Sequence, residues 1–178
     1  PEADTGHDDD FSVMPEALAD DVLVSAVPDW NYAAFTNRSA DFLIDEVVEI
    51  EPRDTVTSAP ELVRLTQNLA MTHTDAGRSV YGKRLVYGGH TISVAAAQLS
   101  RLFPSMLGTL GWYRCDHTAP VFEQDVLMSQ CAIKSVTQQK GVNILKLHVE
   151  TFADRGCEAP RPETAVKVLD WSLAVLSV

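Results

Sequence analysis

Residues 87–103 read YGGHTISVAAAQLSRLF, and Pro104 follows them directly. The apolar side chains recur at helical spacing, which predicts a helix from Thr91 to Phe103 that ends before the proline. The predicted buried stripe consists of Ile92, Ala95, Ala96, Leu99, Leu102 and Phe103. The consecutive alanines at 95–97 place small side chains on nearly every side of this helix, so a sheet can approach it closely.

Strand patterns occur on both sides of this helix. Residues 43–56 are rich in valine and isoleucine and predict a first strand or strand pair. Beyond the helix, the sequence predicts four strands in an antiparallel meander, at 110–116, 126–136, 142–152 and 166–178. Because no strand–helix–strand rhythm is present, the pattern favours an α+β fold over a doubly wound parallel sheet.

A shorter helix is predicted before the central one. Residues 58–61 read SAPE, the pattern of a capping box in which Ser58 and Glu61 satisfy each other's backbone N–H groups. The following leucines have spacings of three and four, which predicts one apolar helical face that ends near Met71. They are Leu62, Leu65 and Leu69.

Two segments beside the central helix carry groups that can act on a thioester. His73 lies in the loop after the shorter helix, and an imidazole exchanges protons near neutral pH. Residues 87–90 read YGGH and open the central helix, where backbone N–H groups lack partners inside the helix. Together these segments can polarise a thioester carbonyl and move a proton or a water molecule beside it.

Three stretches of the chain, residues 65–75, 81–91 and 118–125, resemble the MaoC-like dehydratases, also called R-specific enoyl-CoA hydratases. The resemblance is greatest to the mesaconyl-CoA hydratase-like branch and covers roughly residues 43–178. It implies a hot-dog fold, in which a bent antiparallel sheet wraps a long helix. It also implies reversible addition of water to a 2-enoyl-CoA, with the CoA thioester as substrate and no further cofactor.

The family signature is Asp-x-Asn-Pro-x-His, and this chain departs from it at one catalytic position. His73 falls on the family histidine, whereas Asn68 falls on the family aspartate. An amide cannot transfer a proton as a carboxylate does, so Asn68 is expected to position water or hold the imidazole, or else to cap a helix C-terminus. Gly88 falls in the segment that faces the thioester oxygen, and Tyr87 stands where many members have histidine.

Several other residues near these motifs have two interpretations. Asp75 can replace the missing carboxylate, or it can cap the short helix that follows. His90 can contact substrate together with Gly89, or it can cap or pack the helix. Arg84, with Arg78 and Lys83, can bind the anionic CoA, or these residues can form a solvated basic loop. Of the remaining histidines, the sequence gives no role to His7, His117 or His148.

Composition excludes several classes of function. The 178 residues carry a net charge of −11, which argues against nucleic-acid binding and against anionic membranes. No apolar run reaches transmembrane length. The three cysteines, Cys115, Cys131 and Cys157, have no metal-binding spacing. Cys115 and Cys131 lie in strand-like runs and fit buried thiols, and a reduced, cytoplasmic setting is expected.

The expected organisation is an acidic leader or inter-unit linker at 1–42, followed by a hot-dog domain at 43–178. In the family the site lies between two hot-dog units, so the resemblance implies a second unit. That unit is either another copy in a homodimer or the other half of a double hot dog whose C-terminal half is this chain. Two alternatives to hydration remain: a hot-dog thioesterase using Asp75 or Glu61, and a non-catalytic acyl-binding module that completes a partner's site.

Overall fold

The computed structural model describes residues 20–35, 43–68, 70–155 and 165–178. Predictions that concern residues 1–19, 36–42 and 156–164, with His7, Leu69 and Cys157, lie outside these ranges. Three α-helices are present in the described part of the chain: α1 (Asp20–Ala26), α2 (Ala59–Leu65) and α3 (Gly88–Leu102). The short 3₁₀ helices are Tyr32–Ala34, Met71–His73 and Ala76–Arg78. The strands are β1 (Val47–Thr55), β2 (Met106–Asp116), β3 (Asp125–Gln139), β4 (Val142–Arg155) and β5 (Val166–Ser177).

The five strands form one sheet in the order β1-β3-β4-β5-β2, and every pair is antiparallel. The antiparallel prediction is therefore confirmed, and β3, β4 and β5 form a meander. The prediction that β2 begins this meander is wrong, because β2 lies at the far edge and pairs with β5. Residues 117–124 carry the chain from that edge to the opposite side of the sheet, where β3 pairs with β1.

Helix α3 packs on one face of the sheet, as its apolar stripe predicts. Ala95 and Leu99 are fully buried against Leu147, Trp171 and neighbouring strand residues. The helix begins three residues earlier than predicted, at Gly88, and ends at Leu102 before Pro104. Fully buried Gln98 ties the helix to the sheet, because its Nε2 donates to the Leu127 carbonyl at 3.1 Å. The small side chains of this stripe thus allow the helix to lie close to the strands.

Enlarging Ala95 should test this close approach. The side chain is fully buried, so Ala95→Leu should lower the free energy of unfolding by about 1–3 kcal/mol through overpacking. Ala97 is exposed on the same helix, so Ala97→Leu should change stability by less than about 0.5 kcal/mol. Urea unfolding of both variants measures the difference, and equal losses of stability would contradict this packing.

Helix α2 differs from its prediction at both ends. Ser58 has a left-handed backbone (φ 54°) and its side chain makes no capping bond, so the predicted capping box is wrong. The helix ends at Leu65 because Gln67 also takes a left-handed conformation, and the Asn68 N–H then donates to the Val63 carbonyl at 3.1 Å. Leu65 is 81% exposed, so the predicted apolar face does not turn toward the core.

Part of the acidic leader packs on the domain's own sheet. Leu23 and Val27 of this segment are buried against Val142, Ile144 and Leu176, on the side of the sheet opposite α3. Lys146 reinforces the contact by donating to Asp20 at 2.6 Å. Within the described ranges, none of the helices has the length and apolar character needed to cross a membrane.

Candidate functional site

A cleft of about 340 Å³ opens beside the N-terminus of α3. Its walls come from the turn that carries His73, from the first residues of α3, and from the segment that follows β2. The lining residues are His73, Tyr81, Leu85, Val86, Gly88, Thr91, His117, Thr118, Ala119, Pro120 and Val121. Two of the predicted site residues, His73 and Gly88, thus meet at one cavity although fifteen positions separate them.

The orientation of His73 is fixed by the backbone of Leu85. The His73 Nδ1 donates to the Leu85 carbonyl oxygen at 2.7 Å, and the Leu85 N–H donates to the Thr72 carbonyl at 3.0 Å. A carbonyl oxygen only accepts, so the neutral imidazole carries its hydrogen on Nδ1. Its Nε2 is then the unprotonated nitrogen, which is the form a general base requires.

The ring of Tyr87 lies between His73 and the start of α3. It meets the imidazole of His73 edge to face, with ring centroids 5.9 Å apart. It also covers Gly89, where a Cβ atom would stand only 2.5 Å from Tyr87 Cε1. Glycine at position 89 is therefore required by the close approach of this ring, which in turn supports one side of the imidazole.

Gly88 admits a second ring, that of His117. A Cβ atom at position 88 would lie 2.5 Å from His117 Nε2 and 2.9 Å from Cε1. No role for His117 was predicted, because nothing near it in the chain forms a recognisable motif with it. The segment between β2 and β3 brings it to the cleft, and its position directly before the family-like stretch 118–125 was the available signal.

The first turn of α3 begins at the cleft, where Gly88 belongs to the lining. The first N–H groups of a helix have no intrahelical acceptor, and those of Gly88 and Gly89 begin this helix of 15 residues. Thr91 is 1% exposed and still lines the cleft. This end of the cleft can therefore bind an oxygen that carries partial negative charge.

Asn68 and Asp75 lie near His73 in the chain but do not line the cleft. The Oδ1 of Asn68 accepts from the Ala70 N–H at 3.0 Å, while its backbone closes α2 as the capping interpretation expected. The Oδ1 of Asp75 accepts from the Gly77 N–H at 2.8 Å and caps the 3₁₀ helix Ala76–Arg78. This cap confirms the structural interpretation of Asp75.

Arg84 is already engaged with an acidic partner. Its guanidinium forms an ion pair with Glu123, and both side chains are partly exposed. Next to this pair, the Lys83 ammonium lies 4.0 Å from the centroid of the Phe122 ring. Arg84 would thus bring a locally neutralised charge to any CoA phosphate.

His90 lines a second cavity, of about 470 Å³, between β1, α2 and α3. Its Nδ1 is buried without a hydrogen-bond partner within the described residues. Burial lowers the pKa of His90 below its ordinary value of 6.5, although the charge of Glu123 acts in the opposite direction. The structure thus separates His90 from His73 and gives it a packing position at the second cavity.

The lowered pKa of His90 predicts a pH-dependent component of stability. The unfolded chain binds this proton more readily than the folded protein, so protonation favours unfolding. This contribution to the free energy of unfolding is fully present above pH 6.5 and is lost as the pH falls through the pKa of His90 in the folded protein. Urea midpoints at pH 7.5 and 5.5 should therefore differ less in His90→Gln than in the wild type. An unchanged pH dependence in the variant would contradict this.

A polar group on the other face of the sheet contains His148, Glu150 and Asp170, whose ligand atoms lie within 4.8 Å of one another. The Lys167 ammonium donates to Glu150 at 3.0 Å and to Asp170 at 2.9 Å. Burial acts to raise the pKa of both carboxyls, but the bonds from Lys167 and other partners hold them below their usual range. This ammonium already neutralises the two carboxylates that a metal ion would need.

The two cysteines in the described residues are buried or half-buried thiols, as predicted. Burial raises the pKa of Cys131 to about 12. Burial and the nearby charge of Asp116 raise that of Cys115 to about 11. Both groups are therefore protonated at neutral pH and unsuited to act as nucleophiles.

Two proteins resemble this chain in sequence. Mesaconyl-CoA hydratase of Cereibacter sphaeroides is 29% identical over 125 residues, which are 68% of this chain and 36% of the hydratase. A conserved hypothetical protein of Mycobacterium tuberculosis, essential for survival during infection, has 40% sequence identity and a double hot-dog fold. It matches with a TM-score of 0.68 over 76% of this chain and 39% of that protein. The chain thus spans less than half the length of each.

A third protein matches in fold alone. The MaoC-like dehydratase of Rhodospirillum rubrum has a TM-score of 0.58 at 16% identity, over 77% of this chain and 94% of the dehydratase. No protein-family model matches the sequence. The central helix against a five-stranded antiparallel sheet is the hot-dog fold that the resemblance implied. The chain thus has the hot-dog fold, and its sequence likeness to mesaconyl-CoA hydratase and to the double hot-dog protein supports a relationship to the MaoC-like hydratases and dehydratases.

Proposed function

We propose that the cleft catalyses the reversible hydration of a 2-enoyl-CoA, with His73 as general acid/base. The observation that carries this proposal is the 2.7 Å bond from His73 Nδ1 to the Leu85 carbonyl, which leaves Nε2 basic in a residue that lines the cleft. The relationship to mesaconyl-CoA hydratase supports the same chemistry. An acyl-CoA is therefore the proposed substrate.

In the hydration direction, His73 Nε2 accepts a proton from water as the water oxygen attacks Cβ of the enoyl group. The electron pair of the C=C bond moves toward the thioester oxygen, which becomes an enolate oxygen. The N–H groups of Gly88 and Gly89 stabilise that oxygen, because donors placed beforehand at a developing charge lower the barrier.

A thioesterase would need a carboxylate beside the thioester, and the described residues that line the His73 cleft include none. Asp75 is used as a helix cap. Glu61 lies at the second cavity and pairs with Arg64 at 3.2 Å. The geometry therefore favours hydration over thioester hydrolysis.

Parallel assays of crotonyl-CoA and mesaconyl-CoA test this choice. Enoyl absorbance reports hydration, and a thiol reagent reports release of free CoA. The proposal expects loss of absorbance with the thioester intact. Thiol release without loss of enoyl absorbance indicates the thioesterase. Calorimetric binding of both compounds without either reaction indicates the non-catalytic acyl-binding module.

A second hot-dog unit is proposed to close the cleft. The chain matches only 39% of the mycobacterial double hot-dog protein, so that relative contains chain enough for another unit. Large apolar side chains stand exposed on the edge strand β1 and near the cleft, among them Val47 at 57% and Val80 at 85%. Exposed strand edges and apolar surfaces of this kind mark sites of association.

Light scattering on the isolated chain tests this assembly. We expect a dimer at micromolar concentration, or an inactive chain that gains activity when the other half of a double hot dog is added. A soluble, active monomer at that concentration would contradict the proposed pairing.

A further inference from the structure

We infer that His117 is the second proton-transfer residue of the cleft and delivers the proton to Cα in place of the family's carboxylate. This inference rests on the proposed hydration. Addition of water needs two proton transfers, one from the attacking water and one to the α carbon. His73 accounts for the first, and Asn68 cannot perform the second because an amide neither donates nor accepts a proton at neutral pH.

The composition of the cleft leaves His117 as the group for this step. Among the described residues that line it, the titratable side chains are His73, Tyr81 and His117. A phenol holds its proton far above neutral pH, whereas an imidazole exchanges it there. Two imidazoles therefore line one cavity beside the N-terminus of α3, whereas the sequence motif contains a single histidine.

The position of His117 fits a transfer to Cα. Its Nε2 lies 2.5 Å from where a Cβ atom of Gly88 would stand, so the ring rests directly on the backbone of that glycine. A thioester oxygen bound to the Gly88 N–H has its carbonyl carbon one bond away. The neighbours of that carbon are sulfur and Cα, which places Cα within reach of a ring at Gly88.

The two histidines together transfer one proton from water and one proton to Cα. Water loses a proton to His73 Nε2 and its oxygen bonds to Cβ, while the C=C pair moves to the thioester oxygen. The enolate then returns this pair to Cα, which takes a proton from the His117 imidazolium. One water molecule has been added, and His73 loses its proton to solvent while His117 regains one. In the dehydration direction, neutral His117 removes the α proton.

Exchange of the α hydrogens of butyryl-CoA in D₂O, followed by proton NMR, isolates this step. Butyryl-CoA has no double bond to hydrate, so its exchange needs the Cα base but not the base that activates water. The assembled wild-type protein should exchange these hydrogens faster than buffer alone. His117→Gln should lower the exchange by about 100-fold or more, while His73→Ala should leave it within about threefold.

His148→Gln is the matched control, because His148 lies on the sheet face opposite α3 and should leave exchange and hydration unchanged. Thermal unfolding should show His117→Gln folded like the wild type, since His117 is exposed. No exchange by the wild type, or exchange by His117→Gln near the wild-type rate, overturns the role of His117. If crotonyl-CoA is still hydrated, the proposed function stands. A wild type that hydrates no enoyl-CoA overturns both.

Discussion

Replacing His73 with alanine should lower the rate of enoyl-CoA hydration by about 100-fold or more, the usual cost of losing a general base. The side chain is half-buried and its Nδ1 is bound to the Leu85 carbonyl, so the variant removes Nε2 from the cleft without disturbing the core. The measurement is kcat for crotonyl-CoA, with substrate binding followed separately by calorimetry. Binding should change far less than turnover.

Replacing a histidine at another position provides the control for His73→Ala. His90→Gln alters an imidazole at the second cavity and should keep most of the activity, because that cavity is distinct from the His73 cleft. Equal losses of activity in the two variants would indicate a general effect on folding. Full activity in His73→Ala would remove the general base from the proposed mechanism.

Replacing Gly88 with alanine should also abolish most of the activity, by about 100-fold, because the added methyl group would meet His117 Nε2 at 2.5 Å. The ring must therefore move away from the position that the proposed proton transfer requires. Because the His117 side chain is exposed, its ring can turn away, so the free energy of unfolding should change by less than about 0.5 kcal/mol. Steady-state kinetics and urea unfolding measure the two effects.

Two further variants separate these causes. Gly108→Ala on β2 should leave activity unchanged, because a Cβ atom there meets nothing within 4 Å. The double variant Gly88→Ala/His117→Ala no longer has the clashing ring, but it should not recover activity. Recovery of activity in the double variant would contradict the role given to His117.

The elements that repeat a simple pattern were predictable from the sequence. The stripe from Ile92 to Phe103 identified α3, because each of its residues faces the same buried sheet. The alternation in β4 likewise placed Leu145, Leu147 and Val149 on the core side. When buried positions recur at a fixed spacing, apolar residues recur at the same spacing in the sequence.

Features set by contacts between distant segments were not predictable in this way. The far-edge position of β2 depends on its pairing with β5, which no local pattern encodes. Leu65 looked like a core residue, but α2 ends there because Gln67 is left-handed. His117 reaches the cleft only through the folded turn after β2. The two glycines were recognised, yet the rings that require them could be identified only in three dimensions.

Reaction in ¹⁸O-labelled water distinguishes hydration of the enoyl group from hydrolysis of the thioester. The assembled protein is incubated with crotonyl-CoA in this water, and the masses of the products are measured by mass spectrometry. Hydration places one ¹⁸O atom on Cβ of a product that is still a CoA thioester. Hydrolysis instead places ¹⁸O in a free carboxylic acid and releases CoA. A labelled 3-hydroxyacyl-CoA is the predicted result, and label found only in the free acid would contradict the account.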